Sequence, residues 1–221
     1  RVGILQRMLA IHPLDCMNCG KLGDCKLQKY CEMYGVGEPV YEIPVDHREK
    51  DMSNRFYFQE MDKCIRCGKC VRVCRELVGV NALVMAQKGN MAYVMPNGGK
   101  TMAETACVSC GNCVSVCPVG ALMPKSQQFF RQWETQKVVT TCAYCGVGCQ
   151  IEYSVRNGKI VDAKPANGPS NQGLLCVKGK FGYNFINHKD RLTKPLIRKD
   201  GVLQEASWEE AISLVADKIK T

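Results

Sequence analysis

Apolar residues near the start of the chain recur every three or four positions, at Val2, Leu5 and Leu9 and at Ile4, Met8 and Ile11. That spacing predicts an amphipathic helix. It must end near His12-Pro13, because the residue before a proline is disfavoured in the helical region. Residues 12–50 show no sustained period and read as loop with short helical turns. Residues 82–86 and 91–95 are short apolar runs on either side of Gly89-Asn90, which predicts two strands joined by a turn. Residues 125–137 are polar but carry Phe129, Phe130 and Trp133, and read as a linking helix or packed connector. Ile151, Tyr153 and Val155 then alternate with polar residues before Asn157-Gly158 and Ile160, the strongest short signal for a hairpin. Residues 165–173 read as a loop. Ser207-x-x-Glu210 is a capping box that opens a helix, with Trp208, Ala211, Ile212, Val215 and Ile219 expected to face inward.

Composition changes this picture in one respect. The chain has 221 residues, of which 16 are Cys, while only 7% are aromatic. Something besides an apolar core must hold parts of it together. Disulfide scaffolds are characteristically short secreted chains. Here no signal peptide is legible, and the cysteines fall in tight runs. No apolar run approaches the roughly 20 residues of a membrane helix. The chain opens and closes inside predicted helices and reads as an internal piece of a longer polypeptide. Its 30 Lys and Arg outnumber 21 Asp and Glu, for a net charge of +9. No aromatic-interleaved basic stripe accompanies that surplus, so no nucleic-acid partner is expected. Thiolate-ligated metal clusters carry negative charge and offset it instead.

The cysteines form four groups: 16, 19, 25 and 31; 64, 67, 70 and 74; 107, 110, 113 and 117; 142, 145, 149 and 176. The second and third groups are an internal repeat. CIRCGKCVRVC (64–74) realigns on CVSCGNCVSVC (107–117), with Gly68 on Gly111, Val71 on Val114 and Val73 on Val116. Cys-x2-Cys-x2-Cys-x3-Cys is the spacing of two-cluster ferredoxins, where the fourth Cys serves the other cluster. One [4Fe-4S] centre is therefore expected on Cys64, Cys67, Cys70 and Cys117, and a second on Cys107, Cys110, Cys113 and Cys74. Zinc sites usually separate two Cys-x2-Cys pairs by a longer stretch. Pro118 follows Cys117 as the pattern expects, whereas Arg75 follows Cys74.

In the first group His12 precedes Cys16, Cys19 and Cys25, which supplies one imidazole and three thiolates. Spacing alone leaves iron–sulfur and zinc both open there, with Cys31 read as a small buried apolar residue. In the last group Cys142, Cys145 and Cys149 join the distant Cys176, which suits a four-iron cube or a structural zinc. Its place in a cluster-rich chain favours iron.

Taken in order, these motifs resemble a known family. HPLDCMNCGKLGDCKLQ (12–28) resembles the one-His, three-Cys cluster motif shared by the large iron–sulfur subunit of respiratory complex I, iron-only hydrogenases and NAD(P)-linked formate dehydrogenases. TTCAYCGVGC (140–149), LCVKGKFG (175–182) and the 190–211 run resemble the start of a molybdopterin oxidoreductase. The whole most resembles the iron–sulfur part of the catalytic alpha subunit of a cytoplasmic NAD(P)-linked formate dehydrogenase. The resemblance implies an α+β protein of small modules. These are a helical and loop [4Fe-4S] module over 1–50, a duplicated 2[4Fe-4S] ferredoxin-like domain with connector over 51–137, and over 138–221 a β-hairpin [4Fe-4S] subdomain with the start of the pterin domain.

The resemblance also implies [4Fe-4S] at His12, and it implies that Lys178, two residues after Cys176, lies between that cluster and the pterin. A Mo or W bis-pterin guanine dinucleotide is expected in the full-length chain, and a [2Fe-2S] cluster in a preceding domain. The implied partner is an NAD(P)-linked flavin and iron–sulfur diaphorase subunit, with ferredoxin or a hydrogenase module as further partners. The substrate site is expected beyond Thr221, and no acid–base or nucleophilic residue is expected in this stretch. The alternatives are the corresponding subunit of a complex I-like or hydrogenase-linked NADH dehydrogenase and, more distantly, a zinc-organised scaffold or nucleic-acid binder.

Overall fold

The computed structural model describes residues 1–44 and 47–220. The 1–50 and 138–221 segments read from the sequence include Val45, Asp46 and Thr221, which lie outside the described residues. Contacts divide the chain into two units, Arg1–Tyr183 and Asn184–Thr221.

The first unit opens with helix α1 (Val2–Leu9), which buries Leu5 and Leu9, and α2 (Lys26–Met33), which buries Leu27 and Cys31. These four side chains pack with Val36, Val119 and Ala121 into one apolar cluster. Sequence-distant residues 119 and 121 thereby tie the N-terminal module to the repeat.

The repeat itself is built from strands β1 (Tyr57–Gln59), β2 (Leu83–Ala86), β3 (Tyr93–Pro96) and β4 (Leu122–Pro124) with short helices α3 (Lys69–Arg72) and α4 (Asn112–Val116). β1 pairs antiparallel with β4, Tyr57 opposite Pro124. β2 pairs antiparallel with β3, Leu83 opposite Pro96, close to the strands expected there. α3 runs on into a π-helical turn over Val73–Leu77, so the two copies are not identical. Residues of both strand pairs join a core of Tyr57, Leu83, Val94, Met102, Val114 and Leu122, into which Cys70 and Cys113 are drawn.

Residues 125–137 form two 3₁₀ turns, Lys125–Phe129 and Gln132–Glu134, and not a continuous helix. They bury Phe130 while Phe129 and Trp133 stay exposed. β5 (Gln136–Thr141), which the sequence pattern did not announce, then forms a three-stranded antiparallel sheet with β6 (Gln150–Arg156) and β7 (Lys159–Pro165). β5 is exposed along its whole length, so no apolar alternation marks it. The β6–β7 turn is the expected Asn157-Gly158, with φ of 50° and 72°, the left-handed pair that such two-residue hairpins need. α5 (Val177–Phe181) starts at Cys176 and lies against β7.

The second unit holds a hairpin of β8 (Leu196–Lys199) and β9 (Val202–Glu205), then helix α6 (Trp208–Lys220). The Ser207 hydroxyl accepts the Glu210 amide at 3.1 Å, which makes the expected cap. The expected inward face of α6 is not formed. Trp208, Ile212, Val215 and Ile219 are exposed, and Ala211 is only half-buried. One hairpin and one helix are too small a unit to enclose such a face.

Candidate metal centres

In each copy of the repeat the backbone bends tightly around the first cysteine. Arg66 and its counterpart Ser109 have φ of 60° and 54°, and Gly68 and Gly111 have φ of 69° and 75°. Those left-handed residues turn the Arg66 amide onto Cys64 Sγ at 3.3 Å and the Ser109 amide onto Cys107 Sγ at 3.4 Å. The Ala82 amide donates to Cys74 Sγ at 3.2 Å. Amide hydrogen bonds of this kind stabilise negative charge on sulfur.

The consequence is two small apolar cavities. Cys64, Cys67, Cys70 and Cys117 line one, with Val94 and Leu122 in its wall. Cys107, Cys110, Cys113 and Cys74 line the other, beneath Tyr57 and Leu83. Each copy thus sends its last cysteine across to the opposite cavity. Burial, then the neighbouring sulfurs, push the Cys64 thiol up to about 11 and the Cys70 thiol up to about 12. Burial raises the Cys113 thiol well above its usual value, with Cys70 foremost among the sulfurs that add to it, and the two cysteines share one core. Crowded thiols, with Cys70 and Cys113 buried, favour a ligand that shares their charge, and these donor sets fit a cluster.

His12, Cys16, Cys19 and Cys25 line a third cavity. His12 Nδ1 is buried and has no hydrogen-bond partner. Burial lowers the His12 pKa, the Lys63 backbone partly opposing it and the Lys63 ammonium reinforcing it. A neutral imidazole with an unshared nitrogen is what a metal ligand requires. Lys63, 7% exposed and 2.6 Å from Glu60, places a cation in the wall. Cys31 does not line this cavity and sits in the core of the N-terminal module. Gly20, Gly23 and Gly120 allow close approach here, since a Cβ at Gly120 would lie 2.6 Å from Cys19 Sγ and one at Gly23 2.5 Å from the Trp133 ring.

The fourth set lies at the surface. The Cys142 amide donates to the Cys149 carbonyl at 2.8 Å, closing the 142–149 loop. Burial raises the Cys149 pKa, and the sulfurs of Cys142, Cys145 and Cys176 add to it, which brings all four into one neighbourhood. Cys145 and Cys176 are exposed. Lys178 is exposed, its Nζ 5.8 Å from the centroid of the Tyr144 ring. The Tyr144 hydroxyl donates to the Gly182 carbonyl.

Two sets of contacts that sequence reasoning missed hold the segment around Cys176, one reaching the ferredoxin-like repeat and one reaching β7. Asn112, between Cys110 and Cys113, is 4% exposed; its Nδ2 donates to the Leu175 carbonyl and its Oδ1 accepts the Leu175 amide, both at 3.0 Å. Lys180, 2% exposed, donates to the Ala163 carbonyl at 2.5 Å and lies 3.5 Å from Asp162. No local motif marks either residue, because both partners are far away in sequence.

Similarity to known proteins follows the same modular order. Family models match for the NADH-ubiquinone oxidoreductase-G iron–sulfur binding region over residues 1–39 and the ferredoxin-like domain of NADH-quinone oxidoreductase subunit 3 over 56–123. The molybdopterin oxidoreductase Fe4S4 domain matches over 135–188 and molybdopterin oxidoreductase over 191–221. An NADH-quinone oxidoreductase subunit of Rhizobium meliloti is 40% identical over 96% of this chain and 25% of its own. A Bacillus subtilis protein provisionally named a formate dehydrogenase is 35% identical over 97% of this chain and 26% of its own. The chain thus spans about a quarter of the length of these curated relatives. A crystal structure of an NAD+-reducing [NiFe]-hydrogenase in the H2-reduced state superposes with a TM-score of 0.51 at 29% identity, covering 55% of this chain and 52% of that one. Among the described residues no helix is long and apolar enough to cross a membrane. The chain is an iron–sulfur segment of the family that joins the NADH-quinone oxidoreductase-G proteins to the formate dehydrogenase-like molybdopterin oxidoreductases.

Proposed function

We propose that this segment carries electrons, through four [4Fe-4S] clusters, between a Mo- or W-pterin site that oxidises formate and an NAD(P)-linked flavin and iron–sulfur partner. The observation that carries the reading is the sorting of sequence-interleaved donors into separate cavities, one per set, in the repeat and at His12. Among the described residues no three His, Cys, Asp or Glu converge closely enough to hold a single metal ion.

The proposed ligands are His12, Cys16, Cys19 and Cys25; Cys64, Cys67, Cys70 and Cys117; Cys107, Cys110, Cys113 and Cys74; and Cys142, Cys145, Cys149 and Cys176. Bound there, the clusters accept and release single electrons. The chain's own residues fix the spacing, exclude water with Tyr57, Leu83 and Leu122, and hold charge on sulfur with the amides of Arg66, Ala82 and Ser109. Lys178 is proposed to lie between the fourth cluster and the pterin, a role its exposed ammonium beside the Cys142 loop supports.

A second reading, the iron–sulfur subunit of a complex I-like or hydrogenase-linked NADH dehydrogenase, is favoured by the higher identity to the Rhizobium protein and by the hydrogenase superposition. The full-length enzyme, purified anaerobically, separates them. The segment's four sites should contribute about 16 iron and 16 labile sulfides, and formate should bleach the absorbance near 400 nm. Lys178→Met should keep the iron but slow that bleaching, with reduction by NAD(P)H unchanged. Bleaching by NAD(P)H with none by formate selects the second reading.

A further inference from the structure

A cavity of about 420 Å³ in the first unit belongs to none of the four donor sets, although Cys117 reaches its edge. Lys21, Lys26, Lys69, Lys164 and Lys180 line it, against only Asp24 and Asp162. Asp24 is shared by Lys21 and Lys164, each at 2.9 Å, and Asp162 faces Lys180 at 3.5 Å. Among the described residues Lys26 and Lys69 make no ion pair. The wall therefore carries positive charge that the protein does not neutralise.

Two buried polar atoms in the same wall have no partner. Gln127 is 2% exposed and its Nε2 donates to nothing. Asp162 is 1% exposed and its Oδ2 accepts nothing. Orphaned polar groups this deep are costly unless something fills the space. Lysines and an amide donor call for an oxyanion, and an unmatched carboxylate oxygen calls for a hydroxyl. Val116, Pro118, Leu122 and Pro165 supply an apolar side. The volume lies within the roughly 300–1,000 Å³ of small-molecule sites, well above what a free phosphate fills.

We propose that this cavity binds the phosphate monoester of a hydroxyl-bearing small molecule, of nucleoside monophosphate size, with Lys164 and Gln127 on the phosphate and Asp162 on a hydroxyl. The site sits where the N-terminal module, the repeat and the β5–β6–β7 sheet meet, so its occupant links the three. It is independent of which substrate the whole enzyme oxidises.

The test uses the full-length, cluster-loaded protein and calorimetric titration with AMP, with inorganic phosphate and with adenosine, at ionic strength fixed by chloride. AMP should bind saturably, phosphate should compete at least about tenfold more weakly, and adenosine should be weaker still. Lys164→Gln and Gln127→Leu should each weaken AMP by about tenfold, as expected for one charge-assisted or buried hydrogen bond, with iron content unchanged. Gln127→Leu removes no charge and nearly conserves volume, so it decides the matter if Lys164→Gln loses iron. Absence of saturable AMP binding, phosphate binding as tightly as AMP, or AMP affinity unchanged by Gln127→Leu overturns the proposal.

Discussion

Gly68 and Gly111 show how identical residues in a repeat come to do different work. Both cap a short helix in the left-handed region, between the second and third cysteines of their copies. An added Cβ at Gly68 would meet only Met85 Cε at 3.7 Å, an ordinary contact, whereas at Gly111 it would strike Lys180 Cγ and the Phe181 ring at 2.7 Å. Both alanines incur the left-handed penalty, about 1–2 kcal/mol. Only Gly111→Ala adds overpacking, about 1–3 kcal/mol. Denaturant titration of the cluster-loaded variants should therefore rank Gly111→Ala as the more damaging by about 1–3 kcal/mol. Equal losses would mean that α5 is not seated on the repeat. The sequence announces both glycines through the motif. It is silent on the asymmetry, because Lys180 reaches Gly111 only through tertiary packing. The same blindness directs sequence reasoning to Lys178, beside the motif, and past the buried Lys180.

Elements with their own periodicity or turn chemistry were legible. α1, the β2–β3 and Asn157-Gly158 hairpins and the cap of α6 all follow from patterns a few residues long. β5 was not legible, since a wholly exposed edge strand carries no burial alternation. The inward face expected of α6 failed for a related reason: an amphipathic pattern names a face but supplies nothing to cover it. The 3₁₀ turn over Met102–Glu104 depends on a distant side chain as well. Asp51 accepts the Met102 amide at 2.8 Å and the Ser53 amide at 2.8 Å. Burial pushes its carboxyl up, but the hydrogen bonds from Ser53 and Met102, with Lys125 nearby, outweigh that and hold it below its usual range. A carboxylate with a depressed folded pKa stabilises above its unfolded value near 3.8 and loses that stabilisation as pH falls through the folded value. Asp51→Asn should cost about 1–3 kcal/mol at pH 7. It should also flatten the fall in stability as the pH drops below about 4, read from denaturation midpoints. A wild-type slope retained in the variant assigns the acid sensitivity elsewhere.

At the scale of the whole molecule the repeat is two halves that complete one another. Cys117 follows Cys113 in the chain yet lines the Cys64 cavity, and Cys74 follows Cys70 yet lines the Cys107 cavity. The segment just after Cys117 reaches further, since Gly120 lies in the wall of the His12 cavity and Val119 in the N-terminal core. Asn112 and Phe181 clamp the opposite side, the latter stacked on Phe56 at 5.0 Å. Each cavity is lined by cysteines from both halves, so cluster insertion and folding should be one event. Paired variants read the crossing directly. If Cys117 serves the Cys64 site, Cys117→Ala and Cys67→Ala should each remove one cluster, about four iron, and abolish the same low-temperature EPR signal. The Cys67→Ala/Cys117→Ala double variant should lose nothing further, because both changes fall on one site. Cys110→Ala/Cys117→Ala should lose about eight iron and two distinct signals. If Cys110 and Cys117 instead behave as one site, with the double variant no worse than either single change, the interleaved assignment is wrong and each copy of the repeat closes its own cluster.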